Sequence, residues 1–135
     1  MSRVGDALDE ARRGLERLTP EEAWAEVRAG ALLVDTRTAA QRARQGDLPG
    51  ALVIDRTVLE WRLDPTSPAR IPEARDERVR VVVICRQGYS SSFAAESLRR
   101  IGLSRATDVV GGVEAWAAAG LPLSLDPDHA PDVRE

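Results

Sequence analysis

Cysteine, histidine, tyrosine and phenylalanine each occur once in these 135 residues, and lysine does not occur; all 19 basic side chains are arginine. A lone cysteine forms no internal disulfide, so a reducing cytoplasm is the expected setting. Without lysine, Schiff-base chemistry is excluded, and an anion must be met by arginine, backbone amides or hydroxyls. One cysteine and one histidine, His129 between Asp128 and Ala130, do not make a metal-ligand set, and no cofactor is called for. The same histidine is badly placed for a general base, which argues against a cysteine hydrolase. No apolar run is long enough to span a bilayer, and the start, Met1-Ser2-Arg3-Val4-Gly5-Asp6, lacks the apolar centre of a secretory signal. A net charge of −3 gives no reason to expect nucleic acid as a partner. What remains, 43% hydrophobic and 30% charged, suits one soluble domain with its own core.

The sole cysteine sits at a junction. Val81-Val82-Val83-Ile84 is an unbroken β-branched run, the pattern of a strand buried on both faces of a parallel sheet. Cys85 ends it. Arg86-Gln87-Gly88-Tyr89-Ser90-Ser91 follows as a loop, and Ala94, Ala95, Leu98 and Ile101 then recur on a helical stripe. Cys85 is thereby placed at the C-terminal end of a strand, where open α/β sheets bind ligands. Gly88 can take a positive φ and let the backbone curl, and the serines accept turn and cap geometry. Amides turned inward, with the helix N-terminus behind them, would stabilise a thiolate. A buried structural cysteine is the bland alternative, but it would not require a Gly/Ser loop opening a helix.

Around this junction the chain alternates helices and strands. Val4, Leu8, Ala11, Leu15 and Leu18 recur at helical spacing, which predicts an amphipathic helix over residues 1–18, packed on its own domain or serving as a dimer seam. Thr19-Pro20-Glu21-Glu22 is a capping box opening a second helix, which contributes Trp24 and Val27 to the core and stops at Gly30. Ala31–Arg37 reads as a strand ending in Asp35 and Arg37, a structural ion pair at the same sheet edge as Cys85 or a support for the site. Gln41–Asp47 is short and polar, and Ala51–Ile54 is a third strand. Val58–Arg62 suggests a helical turn whose Trp61 and Arg62 either line the pocket mouth or seal the core. Three prolines in 64–76 indicate a surface loop. Ala106–Val110 is a last strand, Gly111-Gly112 a tight turn into a helix ended by Gly120, and 125–135 a flexible tail. The alternation implies a parallel sheet with helices on both faces, in a domain spanning 19–124.

Four segments then carry a resemblance: Leu33-Val34-Asp35-Thr36-Arg37, Gly46-Asp47-Leu48-Pro49-Gly50-Ala51, Val83-Ile84-Cys85-Arg86-Gln87-Gly88-Tyr89-Ser90-Ser91, and Val110-Gly111-Gly112-Val113-Glu114-Ala115-Trp116. In this order and spacing they resemble the signature segments of single-domain rhodaneses, across about Thr19 to Pro122. The resemblance implies a rhodanese-like α/β fold around a five-stranded, mostly parallel sheet. It implies sulfur transfer through a persulfide on Cys85, cradled by the amides of Arg86, Gln87, Gly88, Tyr89, Ser90 and Ser91, with Asp35 and Arg37 in support. A small anionic donor such as thiosulfate and a thiol or cyanide acceptor, or a sulfur-relay protein, are the implied partners. Three departures from the family stand out. Histidine is common where Asp47 stands, an acidic residue where Gln41 stands, and arginine where Ser90 stands; the last removes a positive charge from the loop. Two other readings stay open. A cysteine-dependent phosphatase would place arginine where Ser91 stands, to clamp phosphoryl oxygens bidentately. A binding or regulatory module of the same fold would need no reaction at Cys85.

Overall fold

Val81, Val82, Val83 and Ile84 are all buried, and their side chains part to opposite sides: Val81 and Val83 into one apolar cluster, Val82 and Ile84 into another. A strand wet on one face could not show this pattern, so helices must cover both faces. They do so in the computed structural model of the chain, which describes Ser2–Glu135. In order, the elements are α1 (Arg3–Arg12), α2 (Pro20–Arg28), β1 (Leu32–Asp35), α3 (Ala39–Gln45), β2 (Leu52–Val53), a 3-10 turn at Arg56–Val58, α4 (Leu59–Leu63), β3 (Val81–Ile84), α5 (Ser90–Arg100), β4 (Thr107–Asp108), α6 (Gly112–Ala118) and β5 (Asp132–Val133). The sheet is five-stranded, in the order β4-β3-β1-β2-β5, and every pairing is parallel. Leu59, Leu63, Ala94, Ala95 and Leu98 from α4 and α5 fill one cluster; Ala23, Val113 and Trp116 from α2 and α6 fill the other.

Local signals account for most boundaries. The Thr19 hydroxyl accepts the Glu22 N–H at 3.1 Å while Glu22 accepts the Thr19 N–H at 2.8 Å, the reciprocal cap that the sequence predicts for α2. Trp24 is half-buried rather than central; it meets Trp116 edge-on, with ring centroids 5.9 Å apart, and Ala23 fills the core position.

Several expectations give way. The first helix ends at Arg12, not Leu18, with Val4 67% exposed. Gly14 follows, a poor helix residue, and Leu18 instead bridges Val109, exchanging hydrogen bonds with Asp108 and Val110. The polar stretch 39–45 is helical: Thr38 and Gln41 form a second capping box. It has no buried residue, which is why no apolar stripe announced it. The proline-rich loop is not wholly superficial, since Ile71 and Ala74 are buried in the core. Ile101 lies beyond the end of α5 and is 40% exposed. Trp61 is 62% exposed, which rules out the sealing role. The C-terminal stretch is not simply frayed: β5 pairs with β2, the Arg134 N–H bonds the Val53 carbonyl at 2.8 Å, and the Arg134 guanidinium grips both oxygens of Glu73 at 2.9 and 2.7 Å.

Asp35 and Arg37 form a buried ion pair at the end of β1. Arg37 Nη2 donates to Asp35 Oδ2 at 2.7 Å and to the Gly46 carbonyl at 2.9 Å. The pair ties β1 to the segment leading into β2, and Arg37 is the one cation that bonds the Asp35 carboxylate among the described residues. Replacing Arg37 with methionine leaves Asp35 buried and uncompensated. We expect Arg37→Met to cost about 3–5 kcal/mol, read by urea unfolding. A second expectation concerns the turn before α6. Gly112 has φ +58°, and a Cβ there would collide with the Cys85 carbonyl oxygen. Gly112→Ala should therefore lose about 1–3 kcal/mol from backbone strain alone, with the collision adding to it, measurable in the same unfolding experiment.

Candidate functional site

At the C-terminal end of β3 the chain curls around the sulfur of Cys85. The residue is 5% exposed, yet its sulfur does not face hydrocarbon. Cys85 Sγ accepts the Gly88 N–H at 3.2 Å and the Ser91 N–H at 3.4 Å. Gly88 makes the curl possible with φ +86°, and it packs so tightly on the Gly111-Gly112 turn that a Cβ would sit 2.7 Å from Gly111 N. Helix α5 begins at Ser90, so its first free N–H groups face the same point.

Burial by itself pushes the Cys85 thiol up; hydrogen bonds from the Ser91 and Ser90 hydroxyls and from the Ser91 and Gly88 amides outweigh it and bring the pKa below its ordinary value. The Ser91 hydroxyl is turned to another acceptor. It has one proton, and its oxygen lies 2.8 Å from Asp108 Oδ2, the stronger acceptor. The burden therefore falls on the amides and on Ser90.

The loop's carbonyls are drawn away from the sulfur by other elements. Val113 N–H donates to the Cys85 carbonyl at 2.9 Å and Glu114 N–H to the Arg86 carbonyl at 3.1 Å, so the start of α6 holds the first half of the loop. Arg12 Nη2 and Arg17 Nη2 both donate to the Gly88 carbonyl, at 2.7 and 2.9 Å. Behind them lies Asp108, fully buried at the end of β4, which accepts from Ser91, from Ser92 at 2.7 Å and from Arg17 Nε at 2.9 Å. Arg12 Nε also reaches Ser92 at 3.0 Å, and its guanidinium lies over the Tyr89 ring, 5.9 Å from the centroid.

The structure brings Cys85, Gly88 and Ser91 together as the sequence suggests. Gln87, Tyr89 and Ser90 are exposed around them. Arg86 turns outward and pairs with Glu114 at 3.3 Å, beside a cavity of about 120 Å³ shared with Gln41, Arg44 and Gln45. Asp35 and Arg37 bond each other and the segment near Gly46, not the loop. Asp47, at the family's frequent histidine position, lies 3.5 Å from Arg42 and bridges Ser124 in antiparallel fashion. Sequence reasoning missed Arg12, Arg17, Ser92 and Asp108. Asp108 alone left a signal: an acidic residue ending a strand, in the same situation as Asp35. Among the described residues no cluster of histidine, cysteine, aspartate or glutamate could hold a metal ion, and no helix is long and apolar enough to cross a membrane.

Known proteins resemble this chain over most of its length. A sulfurtransferase of Allochromatium vinosum is 41% identical over 92 residues, 68% of this chain and 77% of that protein. The thiosulfate sulfurtransferase GlpE of Actinobacillus succinogenes is 32% identical over 107 residues, 78% of this chain and 87% of that one. Among solved structures, a Rhodopseudomonas palustris protein of unknown function, described as a possible tyrosine phosphatase, superposes with a TM-score of 0.81 at 31% identity, over 92% of this chain and 96% of its own. The model of the rhodanese-like domain matches residues 19–119, and the chain belongs to that family.

Proposed function

We propose that the protein is a sulfurtransferase that carries a sulfane sulfur as a persulfide on Cys85, taking it from a small anionic donor such as thiosulfate. The observation that carries this reading is the pair of N–H groups, from Gly88 and Ser91, aimed at a buried sulfur. They stabilise the thiolate.

In the first half-reaction the Cys85 thiolate attacks the outer sulfur of thiosulfate. A new S–S bond forms, the donor's S–S bond breaks, and sulfite leaves with the bonding pair. In the second, a thiolate or cyanide attacks the outer sulfur of the persulfide, and the Cys85 thiolate is the leaving group. This is nucleophilic catalysis with a covalent intermediate, and ping-pong kinetics follow. Gln87, Tyr89 and Ser90 border the entry. The outward turn of Arg86 and the serine at position 90 leave the mouth with little positive charge. A thiol acceptor, free or on a relay protein, meets no electrostatic obstacle there.

The phosphatase described for the Rhodopseudomonas palustris relative is the competing chemistry. Phosphoryl transfer through a cysteine needs a guanidinium on the equatorial oxygens. Ser91 occupies that place, its hydroxyl is engaged by Asp108, and Arg12 and Arg17 are spent on the back of the loop.

Treatment with thiosulfate should make the protein heavier by one sulfur atom, with the addition mapping to Cys85 and absent in Cys85→Ala; mass spectrometry reads this directly. No adduct with thiosulfate, mercaptopyruvate or glutathione persulfide, together with sustained hydrolysis of an aryl phosphate, would replace the assignment with the phosphatase. The pH dependence has a definite sign. The thiolate reacts, and its pKa is lowered in the fold. Loading should therefore rise with pH through a midpoint below that of the same cysteine in the unfolded chain. The linked stability is fully present above the unfolded thiol's pKa and fades as pH falls through the folded value.

A further inference from the structure

We propose that Arg12 and Arg17 are positioning residues for the sulfur-binding loop: by drawing the Gly88 carbonyl outward, they turn the Tyr89 N–H toward the place of the outer sulfur above Cys85. This deepens the persulfide reading and rests on it for the identity of the bound sulfur.

Peptide geometry couples the Gly88 carbonyl to the Tyr89 N–H. No peptide bond among the described residues is cis. In a trans peptide the C=O and the following N–H point in opposite directions, so fixing one fixes the other. Two guanidinium groups hold the Gly88 carbonyl, at 2.7 and 2.9 Å. The N–H of Tyr89 must then point into the curl. It does not bond Cys85 Sγ, which is already met by Gly88 and Ser91. It faces the next position out, where the second sulfur of a persulfide would lie. Among the described residues no backbone N–H bonds the Gly88 carbonyl, so its support comes from the two guanidinium groups. The carbonyls of Cys85 and Arg86 are held by N–H groups of α6, and that of Tyr89 by the Ser92 N–H at 3.1 Å within α5's first turn. Gly88 has positive φ and no side chain to steady it. Left alone, its peptide could rotate and present a carbonyl oxygen to the anion, reversing the sign of its contribution.

The two arginines are themselves held. Arg17 is pinned by Asp108, which also anchors Ser91 and Ser92, and Arg12 is braced by Ser92 and the Tyr89 ring. The segment before Thr19, which precedes the matched family region, thus completes the back of the loop. Arg13, between them in sequence, is exposed and meets only Glu10 at 3.8 Å, which makes it a natural control.

The test compares Arg12→Met, Arg17→Met and the double variant with Arg12→Lys and Arg13→Met. It reads the Cys85 titration by thiolate absorbance, the rate of persulfide loading from thiosulfate, and folding by circular dichroism. Loss of a correctly aimed donor should slow loading about 10- to 100-fold, and the thiol titration should move to higher pH with the folded spectrum unchanged. Arg12→Lys keeps one charged donor for the Gly88 carbonyl and should recover part of the rate; Arg13→Met should match the parent. A folded double variant that titrates and loads like the parent overturns the proposal. If the double variant does not fold, the single variants decide: an unchanged titration and rate in both Arg12→Met and Arg17→Met overturns it equally. Should the parent take sulfur from no donor while the titration still moves in the variants, the persulfide reading fails and the positioning role stands.

Discussion

A thiolate can be withdrawn from water only if something replaces the water's hydrogens. Around Cys85 that replacement is the backbone, and backbone amides face inward only when the carbonyls of the same peptides face outward. The site therefore depends on where the loop's carbonyls find partners. Val113 and Glu114 at the start of α6 take those of Cys85 and Arg86, and Arg12 and Arg17 take that of Gly88. The cradle is built from behind, by elements that never approach the sulfur.

This arrangement explains why glycines cluster where they do. Gly88 must curl, and the turn that supports it must come close enough to donate N–H groups to its neighbours. Gly111 and Gly112 both have positive φ, and a Cβ on Gly112 would strike the very carbonyl that α6 has to hold. A backbone-to-backbone approach of this kind leaves no room for side chains. The resulting site has little positive charge at its mouth, because Arg86 pairs outward with Glu114 and Arg12 and Arg17 bond the back of the loop.

The polar pairs divide between two tasks. Asp35–Arg37 secures the sheet edge: it is fully buried, bonded to the Gly46 carbonyl, and remote from the loop in its bonding. Asp108 is just as buried but gathers Ser91, Ser92 and Arg17, so it joins the first turn of α5 to the segment before α2. Both are acidic residues ending parallel strands. Their roles differ because of what packs above each strand end, and strand position alone does not distinguish them.

Much of the fold and the centre of the site were legible in the chain itself. The β-branched run, the capping box at Thr19, the loop glycine and the single cysteine at a strand end follow from local rules of period, capping and conformational freedom, and those rules act over a few residues. Helix α3 escaped because it buries nothing, and β5 because two exposed residues carry no periodic signal. Arg12 and Arg17 escaped for a different reason. Among so many arginines, a local pattern cannot say which guanidinium will meet a carbonyl more than 70 residues away. A buried β-branched run, a loop glycine and a helical stripe are enough to seat one sulfur in a curled loop between a strand and a helix. Only tertiary packing decided which charges hold that loop open, because the partners are joined by the folded geometry of α1, β4 and α6 and by nothing along the chain.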